Sequence, residues 1–243
     1  MEKHAYLMTI SGNLDVVNTC LRILDNVSND IYLMFDDKSF PSLTDALGLL
    51  APMKCSKIVY AGLMEINWGG YSQVEATLRL MDNVVNSGCA YSYLHFLQNA
   101  DLPITANEGI LEFFRNHSGK EFVNVDFSEE KWANDNCRYK YFLCDNRWFR
   151  KNKIVKAVNY GIVRIQRLLG LEINTDIRFY YGSALFSVTL PFARYLLARR
   201  DEIRRRFRRA LAPDEKFIQT ILMDSPYADN LVFDAPNNSS NAF

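Results

Sequence analysis

The chain has no Cys-x-x-Cys pair, and its five cysteines, Cys20, Cys55, Cys89, Cys137 and Cys144, are odd in number and scattered. That pattern speaks against the disulfide framework of a small secreted fold and suits free thiols in a reducing compartment. The three histidines, His4, His95 and His117, lie far apart, so zinc ligation has no support either. No apolar run is long enough to cross a bilayer: the longest, residues 179–198, is interrupted by Gly182, Pro191 and Arg194. The N-terminus enters an apolar strand pattern without a basic region or cleavage site, so no export signal is expected. Net charge is absent as well, with 28 Lys and Arg against 28 Asp and Glu, so bulk electrostatics names no partner. Gly-x-Gly-x-x-Gly, Gly-x-x-x-x-Gly-Lys and Gly-x-Ser-x-Gly are all missing, which removes the usual support for dinucleotide, P-loop and serine-hydrolase sites. Asp-x-Asp, an acid pair that can hold a divalent metal on a diphosphate, is missing too.

What is present is an ordinary globular composition, 49% hydrophobic and 23% charged over 243 residues. The expected organisation is one domain over residues 1–227 and a flexible, Asn- and Ser-rich tail over residues 228–243. Residues 5–10 read as a buried strand, and Leu14, Val17, Leu21 and Leu24 then recur at helical spacing. Further strands are expected at 30–35, 57–61, 90–97, 121–125, 176–181 and 184–189, and helices at 43–50, 73–85 and 154–169. Pro191 is expected to open one long basic helix that runs toward Pro213. Residues 128–150 have no assignable period. Strands alternating with helices in the first half predict an α/β unit with parallel strands.

Several segments carry chemistry. Pro213-Asp214-Glu215 sets two acids at a helix entrance, where they serve either as helix-capping groups or as a catalytic carboxylate. Phe35-Asp36-Asp37-Lys38 follows a strand, where an α/β fold places ligands. Asp101, before Leu102-Pro103, is either a ligand contact or a turn residue. Ser72-Gln73-Val74-Glu75 predicts a capping box that starts a helix at Ser72, and Trp68-Gly69-Gly70 before it lets a backbone turn or approach closely. Eight arginines between Arg194 and Arg209, against Asp201 and Glu202, form the one strongly basic stretch. It reads as a solvated face or as a peripheral contact with anionic lipid heads through residues 199–209; no nucleic-acid module accompanies it.

His4-Ala5-Tyr6-Leu7, Asn29-Asp30-Ile31-Tyr32, Asp36-Asp37-Lys38, Trp68-Gly69-Gly70-Tyr71-Ser72-Gln73-Val74-Glu75-Ala76, Asp101-Leu102-Pro103, Gly182-Ser183-Ala184-Leu185-Phe186 and Pro213-Asp214-Glu215 follow one another in an order and spacing similar to the core-2/I-branching β-1,6-N-acetylglucosaminyltransferases. The chain resembles a soluble, bacterial-type member from about residue 4 to about residue 227. The resemblance implies a GT-A-type domain with a Rossmann-like mixed sheet flanked by helices. It implies inverting transfer from a UDP-sugar without metal or other cofactor. Glu215 then matches the family's general base; Thr9, Ile10, Ser11, Asp36, Lys38, Ser72 and Asp101 match donor contacts; Gly182, Ser183 and Asp214 support them.

Two departures accompany the match. Ser11 stands where relatives commonly have His, and Asn99-Ala100 where they have Ser-Gly. Counterparts of the family's C-terminal Arg and Lys, which neutralise the departing diphosphate, are not recognisable. The expected activity is N-acetylglucosamine transfer from UDP-N-acetylglucosamine to a glycan or lipid-linked glycan hydroxyl in bacterial surface polysaccharide synthesis, in the cytoplasm or at the inner face of the membrane. The alternatives are a UDP-xylose-using transferase and a non-catalytic nucleotide-sugar or glycan-binding module.

Overall fold

A computed structural model describes residues 2–12, 14–98, 101–127, 140–141 and 153–232. Its centre is a six-stranded sheet in the order β3-β2-β1-β4-β6-β5. The strands are β1 (Lys3–Ile10), β2 (Asn29–Asp36), β3 (Lys57–Met64), β4 (Tyr91–Gln98), β5 (Phe122–Val123) and β6 (Phe186–Thr189). β1 to β4 are mutually parallel, β6 runs antiparallel to β4, and β5 antiparallel to β6. The expected α/β class, a mixed sheet flanked by helices, is therefore the observed one.

β1 and β2 read as continuous apolar runs because helices cover both faces. Tyr6, Met8, Ile10, Ile31, Leu33 and Phe35 point to one core, shared with α1 (Leu14–Leu24) and α2 (Leu43–Gly48). Ala5, Leu7, Tyr32 and Met34 point to the other. There they meet α3 (Tyr71–Asn86) and three helices near the C-terminus: α6 (Leu190–Ala198), α7 (Arg200–Phe207) and α8 (Phe217–Met223). Two further helices, α4 (Asn107–Asn116) and α5 (Lys153–Leu168), complete those used below.

The chain winds outward from β1 through β2 to β3, then α3 carries it back to β4 on the other side of β1. That reversal makes a topological switch point between β1 and β4, and ligands of open α/β sheets bind outside the carboxyl ends of strands at such points.

The structure corrects several expected boundaries. The long basic helix is two helices: Thr189 caps the first, its Oγ1 accepting from Phe192 N at 3.3 Å, and the break falls at Arg199, whose φ of −99° and ψ of 13° leave helical geometry. Residues 176–181 make no strand; their one bridge joins Tyr181 to Asp126. Residues 228–232, assigned to the tail, are tied to the sheet: Glu121 N donates to Asn230 O at 2.8 Å and Val232 N to Glu121 O at 3.0 Å. The remainder of the tail, and the segment 128–150 apart from Lys140 and Tyr141, lie outside the described residues. Cys20, Cys55 and Cys89 are free thiols; Cys137 and Cys144 are also outside that set.

Candidate active site

The carboxyl edge of the parallel strands gathers the candidate residues. Thr9 and Ile10 end β1 and Ser11 follows; Asp36 ends β2 and Lys38 follows; Asp101 follows β4. α3, entered from β3, starts at the same edge, and the Gly182–Leu185 stretch precedes β6, which enters the sheet there because it is antiparallel.

α3 begins one residue before the expected capping box. Gly70 is the N-cap, and Ser72 lies inside the first turn. Its Oγ instead accepts from Asn67 N at 2.7 Å, while the Gln73 side chain reaches back to Gly69 N. The reciprocal box is not formed, because the Gly70 cap has no side chain to offer; only its returning half survives, moved two positions from Glu75 to Gln73, where Gly69 takes a left-handed φ of +70° that lets the chain turn before the helix. Glu75, freed from capping, pairs with Arg79 at 3.0 Å and with Arg200 at 2.8 Å.

Pro213–Glu215 forms a single 3-10 turn held from both sides through its backbone. Ala212 N donates to Gly69 O at 2.9 Å, and Gly182 N donates to Glu215 O at 2.9 Å. Ala212 adopts a left-handed φ of +49° to make the first of these bonds. Three motifs far apart in sequence thus become one wall: the Trp68-Gly69-Gly70 turn, the Gly182-Ser183 stretch and the acid pair. Gly182 has no space for a side chain, since a Cβ would stand 1.7 Å from Asn124 O. Ser183 N donates to Asn124 Oδ1 at 3.0 Å, and Gln219 Nε2 to Ser183 O at 2.6 Å.

Glu215 is half-buried. Its neighbour Asp214 is half-buried too, with its Oδ1 atom out of solvent and meeting no hydrogen-bond partner among the described residues. Burial, and secondarily the charge of Glu215, push the Asp214 carboxyl up to about 6. Lys216, only 2% exposed, follows directly and lies over the Tyr181 ring at 5.4 Å.

The other candidates share the edge but differ in how they are used. Asp36 is buried; its Oδ1 accepts from Lys38 N and Ile66 N, both at 3.2 Å, so it fastens β2 to the β3–α3 connection. Lys38 is exposed, 3.4 Å from Asp36 Oδ2, and also donates to Ile66 O and to Asn67 Oδ1. Asp101 closes its own turn, Oδ2 accepting from Gln98 N at 2.7 Å. Ile10 puts its side chain in the core and offers only backbone, whereas Thr9 is half-buried and Ser11 exposed, its carbonyl accepting from Ser39 Oγ at 3.1 Å.

A family model described as the Core-2/I-Branching enzyme matches residues 4–235. The chain belongs to this family. It is 22% identical over 237 residues to the Drosophila melanogaster protein named Xylosyltransferase oxt, covering 94% of this chain and 25% of that one. It is 20% identical to the Mus musculus N-acetyllactosaminide β-1,6-N-acetylglucosaminyl-transferase, covering 89% and 52%. The core-2/I-branching chain thus spans about a quarter of the length of the xylosyltransferase it matches. Among solved structures, the apo form of mouse Xyloside xylosyltransferase 1 is similar at a TM-score of 0.39 and 12% identity, over 93% of this chain and 83% of that one.

Within this family member, the residues that sequence reasoning missed are those that hold the motifs rather than the motifs themselves: Asn124, Gln219, Ala212 and Lys216. Nothing in a linear pattern marks Asn124 or Gln219, because their partners are backbone groups brought close only by folding. Lys216 carried one signal, a lysine beside two acids at a helix entrance. The basic stretch is partly internal. Arg199 meets Asp224 at 3.2 Å, Arg200 meets Glu75, and Arg206 meets Asp176 at 2.8 Å and Glu202 at 2.9 Å. Burial lifts the Tyr71 hydroxyl to about 12 and Glu75 adds to the rise, against the pull of Arg204, Arg200 and Arg208. Those arginines therefore act electrostatically on the turn that opens α3. Among the described residues, no cluster of three or more His, Cys, Asp or Glu side chains could hold a metal ion, and no helix is long and apolar enough to cross a membrane.

Proposed function

We propose that this chain is an inverting glycosyltransferase that moves a sugar from a UDP-sugar donor to a hydroxyl of a glycan or lipid-linked glycan, with Glu215 as the general base. The supporting observation is the double backbone attachment of Ala212–Glu215, through Ala212 to Gly69 and through Glu215 to Gly182, at the carboxyl edge beside the switch point. A base must be held rigidly and still reach its substrate, and a half-buried carboxylate on a pinned turn meets both needs.

In the proposed step, Glu215 removes the proton of the acceptor hydroxyl while its oxygen bonds to the anomeric carbon from the face opposite the nucleotide. The bond from that carbon to the diphosphate oxygen breaks, and UDP departs with the electron pair. Asp214 contributes a carboxyl that burial holds protonated up to about pH 6. Lys38 at the exit of β2, with Arg204 and Arg208 near Tyr71, supply cations for the diphosphate without a metal. UDP-N-acetylglucosamine is the proposed donor. UDP-xylose is the second reading, because relatives named for xylosyl transfer match as well as one named for N-acetylglucosaminyl transfer.

Replacing Glu215 with Gln is expected to lower turnover by about 10²–10⁴-fold, the usual worth of a positioned base, and to leave UDP affinity within a few-fold. Full turnover by E215Q would remove Glu215 from the role. Thermal shift against a panel of UDP-sugars identifies the donor, since a ligand that binds only the folded state raises the apparent midpoint. UDP binding without turnover on any donor and acceptor pair would favour a non-catalytic module.

A further inference from the structure

Helix α5 leaves an apolar stripe in the open, although Val155, Ile162 and Val163 are half-buried on the side of Asn159. Its buried residue is the polar Asn159, 3% exposed, whereas Ile165 is 58%, Leu168 80% and Leu169 65% exposed. Val158 is exposed on the same side, and Leu171 extends the surface beyond the helix end. At about 100° per residue, positions 158, 165, 168 and 169 fall within roughly a third of the helix circumference, so they form one continuous stripe. A soluble helix ordinarily turns such a stripe inward.

The flank of the stripe is cationic. Lys153, Lys156, Arg164 and Arg167 are exposed, and residues 153–171 contain no Asp or Glu. Tyr160, also exposed, stands among these cations with an apolar ring and a polar tip.

We propose that α5, with Leu169 and Leu171, is a membrane-surface helix that lays its leucine stripe into the interfacial zone of an anionic bilayer while its basic flank meets lipid phosphates. Charge complementarity selects this occupant. A second copy of the chain would bring two basic flanks together, with no acid on either helix to offset them. Nucleic acid would satisfy the cations and leave the leucines in water. The proposal moves lipid contact away from residues 199–209, where Arg199, Arg200 and Arg206 are already paired with acids of the protein. It does not depend on the reaction catalysed.

The test is co-sedimentation of the whole chain with phosphatidylcholine vesicles, with and without phosphatidylglycerol, at low and high salt. Binding is expected only to the phosphatidylglycerol vesicles, weakening as salt rises. The pair L168E/L169E is expected to lower affinity on the order of a hundredfold with an unchanged thermal midpoint, because both side chains are exposed. R164Q/R167Q, which leaves the stripe intact, should weaken binding about 30-fold, from about 1 kcal/mol per cation. R205Q/R209Q should change it less than twofold. Absence of binding by the wild type, wild-type binding by L168E/L169E, or loss of binding in R205Q/R209Q would each overturn the assignment. Dimers in vesicle-free sedimentation that L168E/L169E dissolves would give the stripe to a second copy and overturn it as well.

Discussion

Gly182 shows how much a single missing Cβ decides. A methyl group there would stand 1.7 Å from Asn124 O and 2.9 Å from Gln219 Nε2, inside the two bonds that hold Ser183. Its own N–H holds Glu215 O, so crowding at 182 moves the Pro213–Glu215 turn directly. Gly182→Ala is expected to cost about 3 kcal/mol or more in urea unfolding, at the upper end of overpacking effects. Transfer should fall more than stability alone explains; an unchanged midpoint would show that the loop relaxes away from Asn124. Asp36 and Asp101 teach the opposite lesson. Both stand at strand exits as the motif pattern requires, yet their carboxylates bond to nearby backbone amides, work that any strand end can ask of an Asp.

At the scale of the element, start and stop signals were readable only to within a residue or two. Ser72-Gln73-Val74-Glu75 has the composition of a capping box, but Gly69 and Gly70 let the chain turn earlier, so the helix takes Gly70 as its cap and Gln73 as the returning side chain. Likewise the basic stretch looked like one helix because arginine is a good helix former throughout; Arg199 nevertheless leaves helical geometry between α6 and α7, which composition does not encode. Arg206 gives that packing a measurable grip. Its nearly buried guanidinium reaches Asp176 at 2.8 Å and Glu202 at 2.9 Å, and its hydrogen bonds hold the Asp176 carboxyl down at about 2. Since Asp176 is largely exposed, solvent screens the pair, and Arg206→Met is expected to cost only about 1 kcal/mol in urea unfolding. A loss of about 4 kcal/mol would mean that the pair behaves as a buried one.

Across the whole molecule, buried ionisable groups set the pH window. His95 Nε2 lies 2.9 Å from His4 Nδ1 and its Nδ1 2.8 Å from Ser187 Oγ, a polar row crossing β1, β4 and β6 inside aromatic packing. Burial lowers His4 to about 4 and His95 well below the ordinary histidine value. The unfolded chain therefore gains protons that the folded chain refuses, and this contribution to stability is lost as pH falls below about 6.5. Glu121 has the reverse sign. Burial raises it to about 7, although Thr189 N and Oγ1 bond to it at 2.8 and 2.5 Å, so its contribution is lost as pH climbs from about 4.5 to 7. Urea unfolding at pH 5 and pH 7.5 checks both signs. The stability advantage of the wild type over His4→Asn should grow between the two pH values, and its advantage over Glu121→Gln should shrink. A constant difference in either comparison would place that residue's titration outside the window.

Local pattern alone determined the α/β class, the alternation of strands and helices through β4, and the motifs that mark the family, because periodicity and turn chemistry act between neighbours in sequence. Folding decided what those motifs touch. Gly69, Gly182 and Glu215 become one wall through two backbone hydrogen bonds that no linear spacing specifies, and the topological switch between β1 and β4 puts the other candidates on the same edge. The amphipathic period of α5 was equally plain in the residues. Which way its stripe faces was settled only by burying Asn159, since a helix's period defines its faces and its neighbours choose between them.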